Sequence, residues 1–212
     1  MRIIETPVYD FTELTDAAKD KARAWFRETI DYEWWDSVYD DFERICPILG
    51  VTLATRTVRL MGGGTRQKPC IWFSGFWSQG DGACFEGSYA YAPGTSRRIR
   101  DYAPQDTELH RIADALQALQ KPNFYQLTAS FRQTGRSCHA YAMAFDVERD
   151  SPAGQTIAGA IEDDLIAALR DLADWLYRAL EREYEYLTSD ETVDEGMAAN
   201  GCTFTAEGRR FG

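Results

Sequence analysis

The sequence predicts an α+β fold, a mostly antiparallel sheet of about five strands flanked by amphipathic helices. Three observations carry that expectation. Toward both ends apolar residues recur at three- and four-residue intervals, the middle of the chain alternates them at two, and no internal repeat or low-complexity linker separates these regions. The 212 residues are read as one domain, 1–212, because neither half alone supplies both a sheet and its full cover.

The first helix is expected near 13–29, where Leu14, Ala18, Ala22, Trp25, Phe26 and Ile30 form one stripe behind Thr12. A second should run from a capping Asp31 to about Leu49, with Trp35, Val38, Phe42 and Ile45 on one face, Pro47 disturbing its last turn and Gly50 ending it. Residues 51–61 mix β-branched side chains with arginines and read as a strand broken by Gly62-Gly63-Gly64. Further strands are expected at 70–77 and through Phe85, Tyr89 and Tyr91, on either side of the Gly80-Asp81-Gly82 turn. The polar stretch 93–104, bearing Arg97, Arg98 and Arg100, reads as a loop whose arginines either grip a phosphate or balance an acidic helix.

Asp106 should cap a helix to about Leu119, with Leu109, Ile112, Ala113, Leu116 and Leu119 inward. Tyr125, Leu127, Ala129 and Phe131 alternate, as do Tyr141, Met143, Phe145 and Val147, which makes a hairpin turned at Gly135. Ala140, Ala142 and Ala144 on the opposite face leave room for a close-lying helix, expected to be the long one at 155–187 striped by Ile161, Leu165, Leu169, Leu172, Leu176 and Leu180. Thr188 with Glu191 reads as a capping box opening a short helix that Gly201 ends. An edge strand at 202–205 and a frayed basic tail at Arg209 and Arg210 should follow.

Composition narrows the function classes. With 44% hydrophobic and 13% aromatic residues the chain carries too much apolar surface to stay disordered. No run reaches the ~20 apolar residues of a membrane span, and MRIIETPVYDF lacks the order of a signal peptide, so the expected location is the cytoplasm, with no membrane partner. A net charge of -11 argues against direct nucleic-acid binding, which needs a stripe of Lys and Arg to release counterions, and favours partners with a basic surface. The acidity is uneven: between Glu162 and Glu195 there are twelve carboxylates and three arginines. Cys46, Cys70, Cys84, Cys138 and Cys202 are odd in number and lack CxxC spacing, which implies reduced, mostly buried thiols.

Two groups of residues could carry function. Glu33, Asp36, Asp40 and Glu43 fall at spacings of three, four and three, opposite the apolar face of the second helix, and make an acidic stripe suited to a basic partner. The same pattern is also that of a solvated helix face. The Gly-rich segment 74–87 gathers Ser78, Gln79, Asp81, Cys84 and Glu86, and His139 is one of only two histidines that could serve them as a base. Against a ligand site stands a plain tight hairpin in which Gly80 and Gly82 turn the chain. The segment matches neither a P-loop nor a dinucleotide fingerprint, and without a DxDxDG loop or HExxH no metal and no cofactor are expected. A Cys84–His139 dyad stays geometrically open, whereas Cys138 beside His139 would point to the other face of a regular strand.

At WFSGFWSQGDGACFEG (72–87) and EYEYLTSDETVDEGMAAN (183–200) the chain resembles a family of uncharacterised bacteriophage and prophage proteins, some labelled antitoxin of a toxin-antitoxin stability system. The resemblance runs through most of the chain and departs at NGCTFTAEG (200–208), where the relatives are more acidic and aromatic. It implies viral origin and action inside a bacterial cell, and it supplies no catalytic residue. The leading expectation is a non-enzymatic protein that binds and inhibits a bacterial host factor, a toxin or defence effector, through acidic, nucleic-acid-mimicking helices. The alternative is a small-molecule binder or Cys/His hydrolase using the loop at 74–87, and a third reading is a self-associating phage protein. Oligomeric state is open.

Overall fold

The computed structural model describes residues 1, 5–30, 33–151 and 156–211. Among them the chain runs β1 (Tyr9–Asp10), α1 (Asp16–Arg27), α2 (Asp36–Leu49), β2 (Val51–Leu53), β3 (Thr55–Arg59), β4 (Thr65–Pro69), β5 (Ile71–Phe73), β6 (Ala83–Phe85) and β7 (Gly87–Ala90). It continues through α3 (Thr95–Tyr102), α4 (Thr107–Gln120), β8 (Leu127–Gln133), β9 (Met143–Arg149), α5 (Gly159–Thr188), α6 (Asp190–Ala199) and β10 (Thr203–Phe204). This is the α+β class expected. Two compact units divide the chain, one of Met1–Asp36 with Glu181–Gly212 and the other of Ser37–Leu180, so the polar stretch 93–104 lies inside the larger.

In the larger unit β2, β7, β8 and β9 form one antiparallel sheet in that order, while β3 pairs with β4 and β5 with β6. The single strand expected at 51–61 is therefore two, and its break has a cause. Ala54 N–H donates to the Glu86 carbonyl at 2.8 Å, Glu86 N–H to the Cys70 carbonyl at 2.9 Å, and Cys70 N–H to the Ala54 carbonyl at 2.8 Å. Each residue sits between two short strands, so three chain segments exchange partners at one level without orphaning these buried amides. The expected strand at 70–77 likewise ends at Phe73.

One face of the four-stranded sheet is buried through Tyr89, Leu127, Ala129, Phe131 and Met143, whereas Ser88, Ser130, Arg132 and Asp146 look to solvent. That alternation is what an antiparallel sheet with one covered face requires. The long helix does not lie against the alanine face, its expected place. Arg170 of α5 stacks over the Phe145 ring at 5.5 Å, so α5 covers the Phe131 and Phe145 face and not that of Ala144, which pairs in register with Arg132. Ala140 and Ala142 are not in a strand at all; they form a 3₁₀ turn that leaves Tyr141 76% exposed. Tyr125 also lies outside its expected strand: Phe124 and Tyr125 adopt left-handed backbone (φ 55° and 61°), and the buried Gln120 amide pairs with Leu127 N–H and carbonyl where β8 begins.

The core beneath the sheet is aromatic and aliphatic. Phe42 of α2 packs on Phe85 (5.1 Å) and Trp175 (6.3 Å), and Phe85 on Phe131 (5.3 Å). On α5 the residues Leu165, Leu169, Leu172 and Leu176 are buried, as their spacing predicts, while Ile161 is only half-buried. Asp106 caps α4 by accepting from Leu109 N–H at 2.9 Å, and its second oxygen accepts from Trp175 Nε1–H at 2.8 Å. The stretch expected as a loop at 93–104 contains α3 instead, because Thr95 and Ile99, four apart, are both buried and Gly94 takes the left-handed turn (φ 71°) ahead of them.

The smaller unit closes around Leu14, Ala18, Ala22, Val193, Met197, Cys202 and Phe204. Its α1 starts at Asp16, after a 3₁₀ turn at Phe11–Glu13, so Thr15 and not Thr12 precedes the helix. The cap of α6 is Ser189, whose Oγ accepts from Thr192 N–H at 3.2 Å; Thr188 belongs to α5 and donates its hydroxyl to the Tyr184 carbonyl. β10 pairs with β1, and the tail beyond it is not frayed: Phe211 N–H donates to the Thr203 carbonyl at 2.9 Å, and Arg210 lies over the Trp25 ring at 5.0 Å. The expected cap Asp31 and the expected helix start at Gln155 lie outside the described residues.

Gly50 ends α2 with φ 87°, and a Cβ there would stand 2.0 Å from the Ala90 carbonyl oxygen. Gly50→Ala combines left-handed strain with a backbone clash and should cost about 2–4 kcal/mol. The expected readout is a matching fall in the urea unfolding midpoint.

Candidate functional site

The first candidate surface is α2. Its sequence is amphipathic: Phe42, Ile45, Cys46 and Leu49 are buried, while Asp36, Asp40 and Glu43 are exposed. Glu33, exposed as well, lies in the turn before the helix, so three of the four expected carboxylates share the helix and the fourth does not. Among the described residues no Lys or Arg forms an ion pair with Asp36, Asp40 or Glu43. Partial burial pushes the Glu43 carboxyl up from the ordinary carboxylate range, the Asp40 charge adds to this, and Arg66 opposes it. Like charges one turn apart thus stand with no ion pair and only partial relief from Arg66, which costs stability and concentrates negative potential.

The acidic stretch 162–195 behaves differently. In the larger unit Asp171 takes Arg111 at 2.8 Å; in the smaller, Asp194 accepts two bonds from Arg23 (2.8 and 2.7 Å) and Asp190 pairs with Arg27. Three of its twelve carboxylates, Asp171, Asp190 and Asp194, thus hold helices together. Arg100, expected in a loop, sits on α3 and binds Asp114 by two bonds (2.9 and 2.6 Å), which selects the balancing role for it.

The second candidate is the connection between β5 and β6. Asp81 Oδ2 accepts from Trp77 N–H (3.0 Å) and Ser78 N–H (2.7 Å), so its carboxylate organises the turn itself. Ser74 and Gly82 close the hairpin, Ser74 N–H donating to the Gly82 carbonyl at 3.0 Å. Phe76 lies against Tyr177 (5.5 Å), whose hydroxyl donates to the Gly75 carbonyl, and leaves Trp77 78% exposed at the tip beside exposed Ser78 and Gln79. Glu86 is at the three-strand junction, where its Oε1 accepts from Gln133 N–H at 3.1 Å.

The six expected residues are therefore not brought together as one ligand site. Ser78 and Gln79 are at the tip, Asp81 and Glu86 bind backbone amides, Cys84 is buried, and His139 uses Nδ1 to accept from Tyr141 N–H at 3.1 Å. Gly82 is the exception that reaches across: a Cβ there would meet His139 Cβ at 2.5 Å and the Cys138 carbonyl oxygen at 3.0 Å. This contact brings Cys138 beside Cys84. Burial, then the neighbouring Cys138 thiol and the Glu86 charge, push the Cys84 thiol up to about 12, the reverse of what a nucleophile needs. Sequence reasoning missed the pair because it read Tyr141 through Val147 as a regular strand with Ala140 and Ala142 on its other face, whereas Cys138 and His139 lie in the connection before a 3₁₀ turn at Ala140–Ala142.

No helix among the described residues is long and apolar enough to cross a membrane, and no three of their His, Cys, Asp or Glu side chains gather as metal ligands. Fold and surface together define an α+β protein built on short antiparallel strands that presents an acidic helix face. The chain belongs to the family described as a domain of unknown function, DUF8835, whose model matches residues 34–190 and so takes in α2 and the β5–β6 connection. No curated protein and no solved structure matches it.

Glu43 should be a mild liability to folding. Its carboxyl is raised in the folded chain, so the neutral form is favoured there, and the penalty exists above the folded pKa and vanishes as pH falls through it. Glu43→Gln is expected to raise the melting temperature slightly at neutral pH, and this gain should disappear in acid when both proteins are scanned across pH.

Proposed function

We propose that this is a phage- or prophage-encoded protein, not an enzyme, that binds and inhibits a bacterial host factor with a basic surface, such as a toxin or defence effector. The observation that carries the reading is the exposed face of α2, where Asp36, Asp40 and Glu43 form no ion pair among the described residues while Asp171, Asp190 and Asp194 do. Carboxylates on neighbouring helical turns repeat at about 5–6 Å, comparable with phosphates along a nucleic-acid backbone, so such a face can occupy a cationic groove in place of a polyanion. The likeness of 72–87 and 183–200 to phage and prophage sequences supports the viral origin and the setting in the bacterial cytoplasm.

The test is capture from bacterial lysate with the wild-type chain and with an Asp36→Lys, Asp40→Lys, Glu43→Lys variant as baits. A host protein should be retained by the wild type, lost at least tenfold with the variant, and released by ~1 M salt, where screening shortens to about 3 Å. Equal retention by both baits, or retention insensitive to salt, overturns the acidic-face reading.

A further inference from the structure

We propose that Cys84 and Cys138 are a redox-active dithiol, oxidised to an intramolecular disulfide by a small disulfide of the glutathione type. The geometry begins at Gly82, whose missing Cβ points into the 138–139 connection at 2.5–3.0 Å. Cys84 is two residues further along the same extended segment, so its side chain leaves from the same face and toward the same connection. There its thiol is the hydrogen-bonding neighbour of Cys138, which is held in place by Gln133, whose Nε2–H₂ donates to the Ser137 carbonyl at 2.9 Å and to Cys138 Sγ at 3.6 Å. Gln133 is itself fixed, since its N–H donates to Glu86. Both thiols thus hang from segments anchored at the three-strand junction, and both are free.

Their environments assign the order of events. Cys84 is fully buried and held protonated, whereas Cys138 is half-exposed and open to a reagent in solution. The Cys138 thiolate attacks glutathione disulfide, forming a mixed disulfide and expelling one glutathione thiolate. Cys84 then gives up its proton and attacks Cys138 Sγ; the second glutathione thiolate leaves, and the two protons end on the two released thiols. Two protein thiols are oxidised and one external disulfide is reduced. The product would tie β6 to the β8–β9 connection that carries His139 and Tyr141. Cys46, Cys70 and Cys202, buried, serve as internal controls.

The wild-type protein is incubated with glutathione disulfide, unreacted thiols are alkylated in denaturant, and peptides are mapped with and without reduction. Two of the five thiols should be lost, found as a Cys84–Cys138 peptide pair within one chain, and restored by a thiol reductant. Cys84→Ala should instead accumulate glutathione on Cys138, and Cys138→Ser should leave Cys84 unmodified. The proposal is overturned if wild-type glutathione stays on Cys138 while Cys84 alkylates, if the bridge joins two chains or other cysteines, or if no thiol is lost.

Discussion

Three backbone hydrogen bonds, passed in a ring among Ala54, Cys70 and Glu86, are the constraint on which the larger unit turns. A strand that leaves one partner for another exposes an amide or a carbonyl at the moment of exchange, and burying either unpaired is expensive. Here three segments change partner at the same level, and each one's loose group satisfies the next. The short strands follow from this, as does the position of Glu86, whose carboxylate also fastens the end of β8. The β5–β6 connection and the Cys138 segment project from that anchored level, so their close approach through Gly82 is set by the junction.

Two kinds of charges can be told apart on the helices. Those of Asp171, Asp190 and Asp194 are met by arginines from elements they pack against, and their contribution is to hold those elements in register. Those of Asp36, Asp40 and Glu43 form no ion pair among the described residues, and at Glu43 burial and a like neighbour outweigh Arg66 and work against ionisation. A protein that retains charge at a cost to its own fold commonly does so for something outside it. The interaction reading rests on that asymmetry and not on net charge, which the paired residues share.

The helical part of the fold was legible because packing needs little beyond periodicity: the stripes of α4 and α5 and the Asp106 cap are where their spacing places them. Strand lengths were not legible, since the partner exchange at Ala54, Cys70 and Glu86 leaves no mark in side-chain alternation. Helix α3 escaped because its apolar face is only Thr95 and Ile99 amid arginines, too short a stripe to outweigh a polar composition. At the site, the helical carboxylates could be placed from spacing alone, while the Cys84–Cys138 neighbourhood depends on residues more than fifty positions apart meeting over a glycine. Alternation through Tyr141 pointed the wrong way there, since the chain takes a 3₁₀ turn before entering β9.

The smaller unit is assembled from both flanks of the sequence, with Arg23 of α1 bonded to Asp194 of α6 across 171 residues. During synthesis α1 emerges long before the helix that covers its apolar stripe, and the intervening unit can fold on the ribosome meanwhile. Leu14, Ala18 and Ala22 must wait in the open until α6 and β10 have been made. Nascent-chain chaperones would find their binding surface there, and the docking of α6 is the event that ends it.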